Sequence, residues 1–127
     1  MEVSEINVRS GRVIDAAMRV HTALGPGLLE SAYEACLAHE LRKRGMRVET
    51  QVPLPVIYDG QQIDAGYRLD LLVDEVIIVE LKAVPKMHPV FEAQLLSYLK
   101  LSNYSIGLLI NFHVPRLKDG IKRFANL

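Results

Sequence analysis

Hydrophobic residues along the 127-residue chain follow two patterns, helical spacing in three stretches and short alternating or continuous runs elsewhere. Apolar positions three and four residues apart mark one face of an amphipathic helix. They predict three helices, over Asn7–Leu24, Leu28–Arg44 and Pro89–Leu101. Gly25-Pro26-Gly27 ends the first helix and Gly45 the second. We expect residues 1–8 to form a frayed N-terminus.

Short runs rich in β-branched residues predict strands between and after these helices. The predicted strands are Arg47–Val56, Gln62–Val73, Val76–Val84 and Ser105–Asn111. Asp59-Gly60 predicts a hairpin turn, and Arg116–Phe124 is predicted to be a further strand rather than a short helix. The order ααβββαβ therefore predicts one α/β domain over residues 1–127, with a central sheet flanked by helices.

The composition of the chain argues against an intrinsically disordered protein and against a membrane protein. With 50% hydrophobic and 24% charged residues, the chain is not intrinsically disordered. Its longest apolar runs, Val76–Val79 and Ile106–Ile110, are shorter than a membrane helix, and no signal peptide is recognisable, so we expect a cytoplasmic protein without a membrane partner. Fifteen basic residues balance fifteen acidic ones, so net charge neither indicates nor excludes nucleic-acid binding.

Three charged residues, Asp70, Glu80 and Lys82, lie inside strands that are otherwise strongly apolar. Charged side chains are rarely buried without partners or a metal ion. A two-residue turn at Asp74-Glu75 would place Asp70 opposite Val79 and so mix polar and apolar faces. We therefore predict a connection of odd length, such as a three-residue loop, or a bulge, which puts the three charged side chains on one face.

Two carboxylates and an ammonium group on neighbouring strands have a defined chemical use. Carboxylate oxygens bind Mg²⁺ or Mn²⁺, and such an ion activates water and neutralises phosphate charge. The ammonium group can orient the water or stabilise negative charge. The same three side chains could instead form an exposed cross-strand salt bridge, which contributes only about 0–1 kcal/mol. Spacing alone leaves both interpretations open.

Three motifs resemble those of known nucleases. Asp70 followed by Glu80-Leu81-Lys82 resembles the signature of the PD-(D/E)XK nuclease superfamily, although Leu69 stands where the literal motif has proline. The segment from Gly27 to Tyr33 reads Gly-x-x-Glu-x-x-Tyr and resembles the GxxExxY family within that superfamily, over roughly Val13 to Phe124. Gln94 and Tyr98 resemble the Gln-x-x-x-Tyr motif of RecB-like nucleases.

The resemblance implies a restriction-endonuclease-like core with a mixed central sheet, and a Mg²⁺- or Mn²⁺-dependent nuclease acting on nucleic acid, above all DNA. Asp70, Glu80 and the Leu81 carbonyl would bind the metal ion, Glu30 would support it, and Lys82 would position water. Further residues would complete the rim or contact nucleic acid: Gln94, Tyr98, Arg68 and Lys86.

Each of these motif residues also has a purely structural interpretation. Glu30 would lie at the third position of a helix capped by Gly27, where the helix dipole favours a carboxylate. Gln94 and Tyr98 could border an ordinary amphipathic helix, and Tyr33 could pack in the core. The rival functions are a catalytically inactive nuclease fold that binds nucleic acid or a protein partner, and a homo-oligomeric regulatory protein. A homodimer would supply binding surface that 127 residues lack.

Overall fold

A computed structural model describes the whole chain, Met1–Leu127. The helices are α1 (Val3–Leu24), α2 (Glu30–Lys43) and α3 (Pro89–Ser102), and a 3₁₀ helix covers Leu117–Gly120. The strands are β1 (Val48–Pro53), β2 (Val56–Tyr58), β3 (Gln61–Ile63), β4 (Arg68–Val73), β5 (Ile77–Lys82), β6 (Ile106–Asn111) and β7 (Ile121–Ala125). None of the helices combines the length and the hydrophobicity that a membrane-spanning helix requires.

Five strands form one mixed sheet in the order β1-β4-β5-β6-β7. The β5–β6 pair is parallel and is joined through α3, while the other three pairs are antiparallel. β2 and β3 form a separate two-stranded ribbon. The predicted α/β fold with a mixed central sheet and flanking helices is therefore confirmed.

Apolar side chains cover both faces of the sheet. The larger cluster lies under α1 and α2 and includes Val13, Leu37, Leu71, Val79 and Leu108. The smaller cluster lies under α3 and includes Leu54, Leu69, Ile78, Leu95, Tyr98, Leu99 and Leu109. β5 and β6 are buried on both faces, which explains why they read as continuous hydrophobic runs in the sequence.

Two helix starts differ from the predictions. α1 begins at Val3 rather than near Asn7, because Ile6 packs into the larger cluster, so residues 3–8 are helical rather than frayed. α2 begins at Glu30 rather than Leu28, which places Glu30 at the first helical position instead of the third. α3 begins at Pro89 as predicted, and the His88 imidazole accepts a hydrogen bond from the Val90 amide.

The predicted strand Gln62–Val73 is interrupted between Ile63 and Arg68, where Gly66 adopts a left-handed backbone with φ of 80°. The Asp59-Gly60 hairpin is confirmed, and both residues have the positive φ that such a turn requires. This turn connects β2 to β3 in the short ribbon, whereas β1 pairs with β4 in the main sheet. The C-terminal strand is confirmed only from Ile121, since Leu117–Gly120 forms the 3₁₀ helix.

The connection between β4 and β5 has the predicted three-residue length. Val73 pairs with Ile77, which leaves residues 74–76 as the loop, with positive φ at Asp74 and Glu75. The Asp74 carboxylate anchors this loop by accepting hydrogen bonds from the Arg9 guanidinium at 2.7 Å and the Arg47 amide at 2.9 Å. The register that follows places Asp70 opposite Glu80.

Candidate active site

β4 and β5 separate at the residues that carry the charged motif. Regular pairing ends at Leu71 and Val79, and the next two side chains occupy the gap between the strands. The Asp70 amide donates a hydrogen bond to Glu80 Oε1 at 3.1 Å, and the Leu81 amide donates one to Asp70 Oδ2 at 2.9 Å. Each carboxylate thus binds a backbone amide of the opposite strand, which brings the two acidic groups together.

Along β1 and β4, the alternation of side chains between the two faces of the sheet is interrupted at Gln51 and Asp70. Leu71 and Val48 pack under α1 and α2, whereas Leu69 and Val52 pack under α3. Gln51, which lies opposite Asp70, has a left-handed backbone with φ of 52° and interrupts regular pairing. Leu69 and Leu71 therefore lie on opposite faces of the sheet. The prediction that Asp70, Glu80 and Lys82 share one face is wrong, because Asp70 lines a cleft beside α2 whereas Lys82 contacts Phe91 of α3.

Lys82 lies on the α3 side of the sheet. Its ammonium group is 4.5 Å from the centre of the Phe91 ring, a distance that allows a cation–π interaction. No carboxylate oxygen lies within the 4.0 Å of an ion pair, so the salt-bridge interpretation of the three charged residues is not realised. Lys82 remains close enough for its charge to lower the pKa of Glu30 and Glu80 against larger opposing effects.

A cleft of about 410 Å³ opens between the start of α2 and the gap, lined by Glu30, Glu34, Gln51 and Asp70 among others. Gln51 Nε2 donates to Glu34 Oε1 at 2.7 Å and makes a longer contact of 3.4 Å with Asp70 Oδ1. Sequence reasoning missed both Glu34 and Gln51. Glu34 could have been found, because it follows Glu30 by four residues and so shares its helix face, whereas no local pattern marks Gln51.

Three carboxyl groups at the site, those of Glu80, Glu30 and Glu34, have a raised pKa. Burial raises the pKa of Glu80 to about 8, and the nearby charge of Asp70 adds to the shift. Partial burial also raises the pKa of Glu30 and of Glu34, and Asp70 contributes to both shifts. The cluster is therefore short of positive charge, which favours a cation or protons at this point.

Tyr33 holds the loop that leads into Glu30. Its ring is fully buried and stacks on Phe112, with ring centres 4.5 Å apart. Its hydroxyl donates to the Gly25 carbonyl and accepts a hydrogen bond from the Leu28 amide at 3.0 Å. The last residue of the Gly-x-x-Glu-x-x-Tyr motif thus packs in the core and fixes where α2 and Glu30 begin.

Gln94 and Tyr98 lie on the α3 side, away from the cleft. Tyr98 is buried, its ring centre is 5.9 Å from that of Tyr67, and burial together with the charge of Glu80 raises its pKa to about 12. Gln94 is half-buried and lines a groove with both tyrosines, and its side chain makes no hydrogen bond. Tyr98 therefore comes near the carboxylates, while Gln94 faces the groove.

Arg68 and Lys86 are exposed, and along the chain they lie two residues before Asp70 and four residues after Lys82. Arg68 makes a long contact of 3.4 Å with the Gln51 carbonyl, and neither residue forms an ion pair. Arg68 therefore does not neutralise any of the carboxylates. Both positive charges remain available to a ligand.

Comparison with known protein families gives one match. A profile of the PD-(D/E)XK nuclease superfamily matches residues 7–124, which is nearly the whole chain. The chain belongs to the PD-(D/E)XK nuclease superfamily. Its mixed five-stranded sheet with three helices is consistent with the restriction-endonuclease-like fold. No curated protein and no solved structure matches the chain significantly.

Members of the PD-(D/E)XK superfamily typically depend on a divalent metal ion. The donor chemistry here fits such an ion, because carboxylate oxygens crowded together without an ion-pair partner are the ligands that Mg²⁺ and Mn²⁺ prefer. The pair Asp70 and Glu80 supplies these oxygens. However, no group of three or more His, Cys, Asp or Glu side chains is arranged to hold a metal ion, so Glu30 does not complete a preformed triad.

Asn111 is a third residue of this PD-(D/E)XK chain that sequence reasoning missed. It lies at the end of β6, is buried, and clamps the segment that follows Lys82. Its side chain accepts hydrogen bonds from the Val84 and His113 amides and donates one to the Val84 carbonyl. The Phe112 amide also donates to the Lys82 carbonyl at 2.8 Å. A polar residue at the end of an apolar run is the signal that marks it.

Proposed function

We propose that the protein is a metal-dependent nuclease that hydrolyses phosphodiester bonds of nucleic acid, above all DNA, and that it is a member of the GxxExxY family. The observation that carries this proposal is the meeting of Asp70 and Glu80 between two separating strands, each bound to an amide of the opposite strand. A structural ion pair would not leave two carboxylates adjacent with no cation in contact.

Asp70, Glu80 and the Leu81 carbonyl are proposed to hold Mg²⁺ or Mn²⁺, with Glu30 supporting the ion from the start of α2. A bound ion of this kind supplies Lewis acidity towards water and phosphate oxygens. Lys82 orients the attacking water and stabilises negative charge on the phosphate. The Phe91 ring beneath its ammonium group restricts where that charge can lie.

The remaining residues are proposed to contact the substrate. Arg68 and Lys86 bind phosphates, for which their exposed and unpaired charges are suited. Tyr98 packs beside the carboxylates and braces the wall of the site, and Gln94 offers an amide at its rim. We expect none of these four to be as essential as Asp70, Glu80 or Lys82.

Cleavage of single- and double-stranded DNA and of RNA in Mg²⁺ or Mn²⁺ tests the proposal. We expect the parent chain to cleave DNA, and Asp70→Asn, Glu80→Gln and Lys82→Ala each to lose at least about 100-fold in rate. Asp59→Asn, at an exposed hairpin turn, and Lys100→Ala, on the exposed face of α3, make matched changes away from the site and should cleave like the parent. Cleavage that survives all three site substitutions would refute the assignment.

The alternative is a nuclease-fold module that binds nucleic acid or a protein without cutting. The observation in its favour is that no three acidic or imidazole side chains form a ready metal-binding group. It predicts that the parent binds nucleic acid with strong salt dependence but does not cleave it in either metal ion. Calorimetric titration with Mn²⁺ separates the two cases, because only the nuclease requires a metal site that Asp70→Asn destroys.

A further inference from the structure

A second concavity, of about 430 Å³, lies on the opposite side of the sheet from the acidic cleft. We call it the tyrosine groove, and the lining residues that matter here are Val56, Tyr67, Val90, Gln94, Tyr98 and Leu101. Six of its eight lining residues are hydrophobic and none is charged. A groove without positive charge does not attract phosphate, so any nucleic acid bound here must present its bases.

The tyrosine groove comes near the proposed catalytic residues at Tyr98, whose pKa is raised by burial and by the nearby charges of Glu80 and Asp70. Tyr67 precedes Arg68 at the start of β4, three residues before Asp70, and the Tyr98 ring packs in the same cluster as Leu69. The two tyrosine rings lie 5.9 Å apart at an angle of 58° and form the aromatic part of the groove wall. Tyr67 is 43% exposed, so one of the two rings can be reached from solvent.

The β2–β3 ribbon extends the same apolar surface. Val56 lines the groove, and Tyr58 lies two residues further along β2 on the same face. Ile63 pairs with Val56 and so shares that face. Tyr58 is 72% exposed and Ile63 46% exposed, so the ribbon presents a second exposed aromatic ring beside the groove.

We propose that the tyrosine groove binds unpaired nucleobases of a single-stranded nucleic acid whose backbone passes the carboxylates. This inference rests on the proposed nuclease function and specifies its substrate as single-stranded. Exposed aromatic rings stack with bases of any sequence, and only an unpaired base exposes its face. Gln94 and Ser97 are the two polar lining residues, and their side chains can donate to and accept from base edges.

Fluorescence anisotropy with a short single-stranded DNA tests the proposal, with Ca²⁺ replacing Mg²⁺ and the integrity of the DNA checked afterwards. The comparison strand has the same length and charge but carries abasic nucleotides. We expect the parent to bind the abasic strand roughly 5- to 150-fold more weakly, and Tyr67→Ala to lose most of this difference. Tyr67→Phe keeps the ring and should bind like the parent.

Leu101→Ser trims the exposed far end of the groove without touching the contact between the tyrosines, and it should weaken binding of the intact strand only. Equal binding of the intact and abasic strands by the parent overturns the proposal, as does unchanged discrimination in Tyr67→Ala. Sedimentation that shows a dimer which Tyr67→Ala dissociates assigns the groove to a second copy of the chain and also overturns it. Base-dependent binding without cleavage in Mg²⁺ or Mn²⁺ refutes the nuclease function alone.

Discussion

Glu80 is the residue at which burial and charge conflict most strongly. Its side chain is only 6% exposed, Asp70 is its nearest acidic neighbour, and no ion pair compensates its charge. Such a group weakens the metal-free fold whenever it is ionised. A residue that costs stability and serves no packing purpose is typical of a functional site.

The pKa of Glu80 gives a prediction for stability against pH. In the folded chain the pKa is raised to about 8, whereas an unfolded glutamate titrates near 4.5. The unfolded chain therefore binds fewer protons between these values, and stability falls as pH rises through this window. Glu80→Gln cannot ionise, so in EDTA it should equal the parent near pH 4 and exceed it by a few kcal/mol near pH 8.

Urea unfolding at several pH values measures this difference. Glu75→Gln, at an exposed position in the β4–β5 loop, makes the same chemical change and should follow the parent curve. A Glu80→Gln variant that is less stable than the parent near pH 8 would mean that the ionised carboxylate stabilises the fold, which contradicts the expected cost of burying its charge.

Gln51 contacts two of the carboxylates that line the acidic cleft. Its side-chain amide bridges Glu34 and Asp70. Its backbone is left-handed, a conformation that residues other than glycine rarely adopt. Because it orients one of the proposed metal ligands, Gln51→Ala should lower the cleavage rate roughly 10- to 100-fold and raise the metal concentration needed for half-maximal activity. Gln62→Ala, on the exposed ribbon, is the control. A change in rate without a change in metal requirement would exclude an action through Asp70.

The β4–β5 hairpin could be predicted because the apolar patterns of both strands had to face the same core. Only a loop of odd length or a bulge satisfied them, and the residues between Val73 and Ile77 form such a loop. The break before β4 could not be predicted, because the run Gln62–Val73 reads as one strand although its first residues pair only with β2. Likewise, Gln51 joins the site through a change of strand alternation, which depends on tertiary packing and leaves no local signal.

Two glycines in different elements should respond oppositely to the same change. A Cβ at Gly120, where the 3₁₀ helix meets β7, would clash with the Asn111 carbonyl oxygen, so the backbone would have to move. Gly120→Ala should therefore destabilise the fold by about 1–3 kcal/mol. Gly11 lies inside α1 with nothing within 4 Å of a Cβ, and Gly11→Ala should stabilise the fold by about 0.5–1 kcal/mol. Thermal unfolding of both variants tests this, and a stable Gly120→Ala would contradict the close approach.

The start of α2 depends on Tyr33, which links the loop before the helix to the core. Tyr33→Phe keeps the stacking on Phe112 but leaves the Gly25 carbonyl and the Leu28 amide without their partner, so we expect a loss of about 1–3 kcal/mol. Tyr58→Phe, on an exposed ring, is the matched control for chemical denaturation. An unchanged free energy of unfolding in Tyr33→Phe would mean that water replaces the hydroxyl.

At the scale of the whole molecule, the two helical layers reach the gap between β4 and β5 from opposite sides. α2 brings Glu30 and Glu34 to one side, and α3 brings Phe91 and Tyr98 to the other. The gap itself exists because strand pairing stops at Leu71 and Val79. The negative charge and the apolar groove are thus placed on either side of one opening in the sheet.

This arrangement predicts that a divalent cation stabilises the whole fold. Mg²⁺ that binds only the folded chain adds stability as RT ln(1 + [Mg²⁺]/Kd), about 2.7 kcal/mol when the concentration is 100 times Kd. Binding competes with protonation of Glu80, whose raised pKa keeps the carboxyl protonated over much of the neutral range. The rise in Tm should therefore be larger near pH 8 than near pH 6, and Asp70→Asn and Glu80→Gln should abolish it. Asp59→Asn should retain the full rise at matched ionic strength, because its carboxylate lies outside the site. An equal rise in all four proteins would show that Mg²⁺ acts through general screening of charge and not at the gap between the strands.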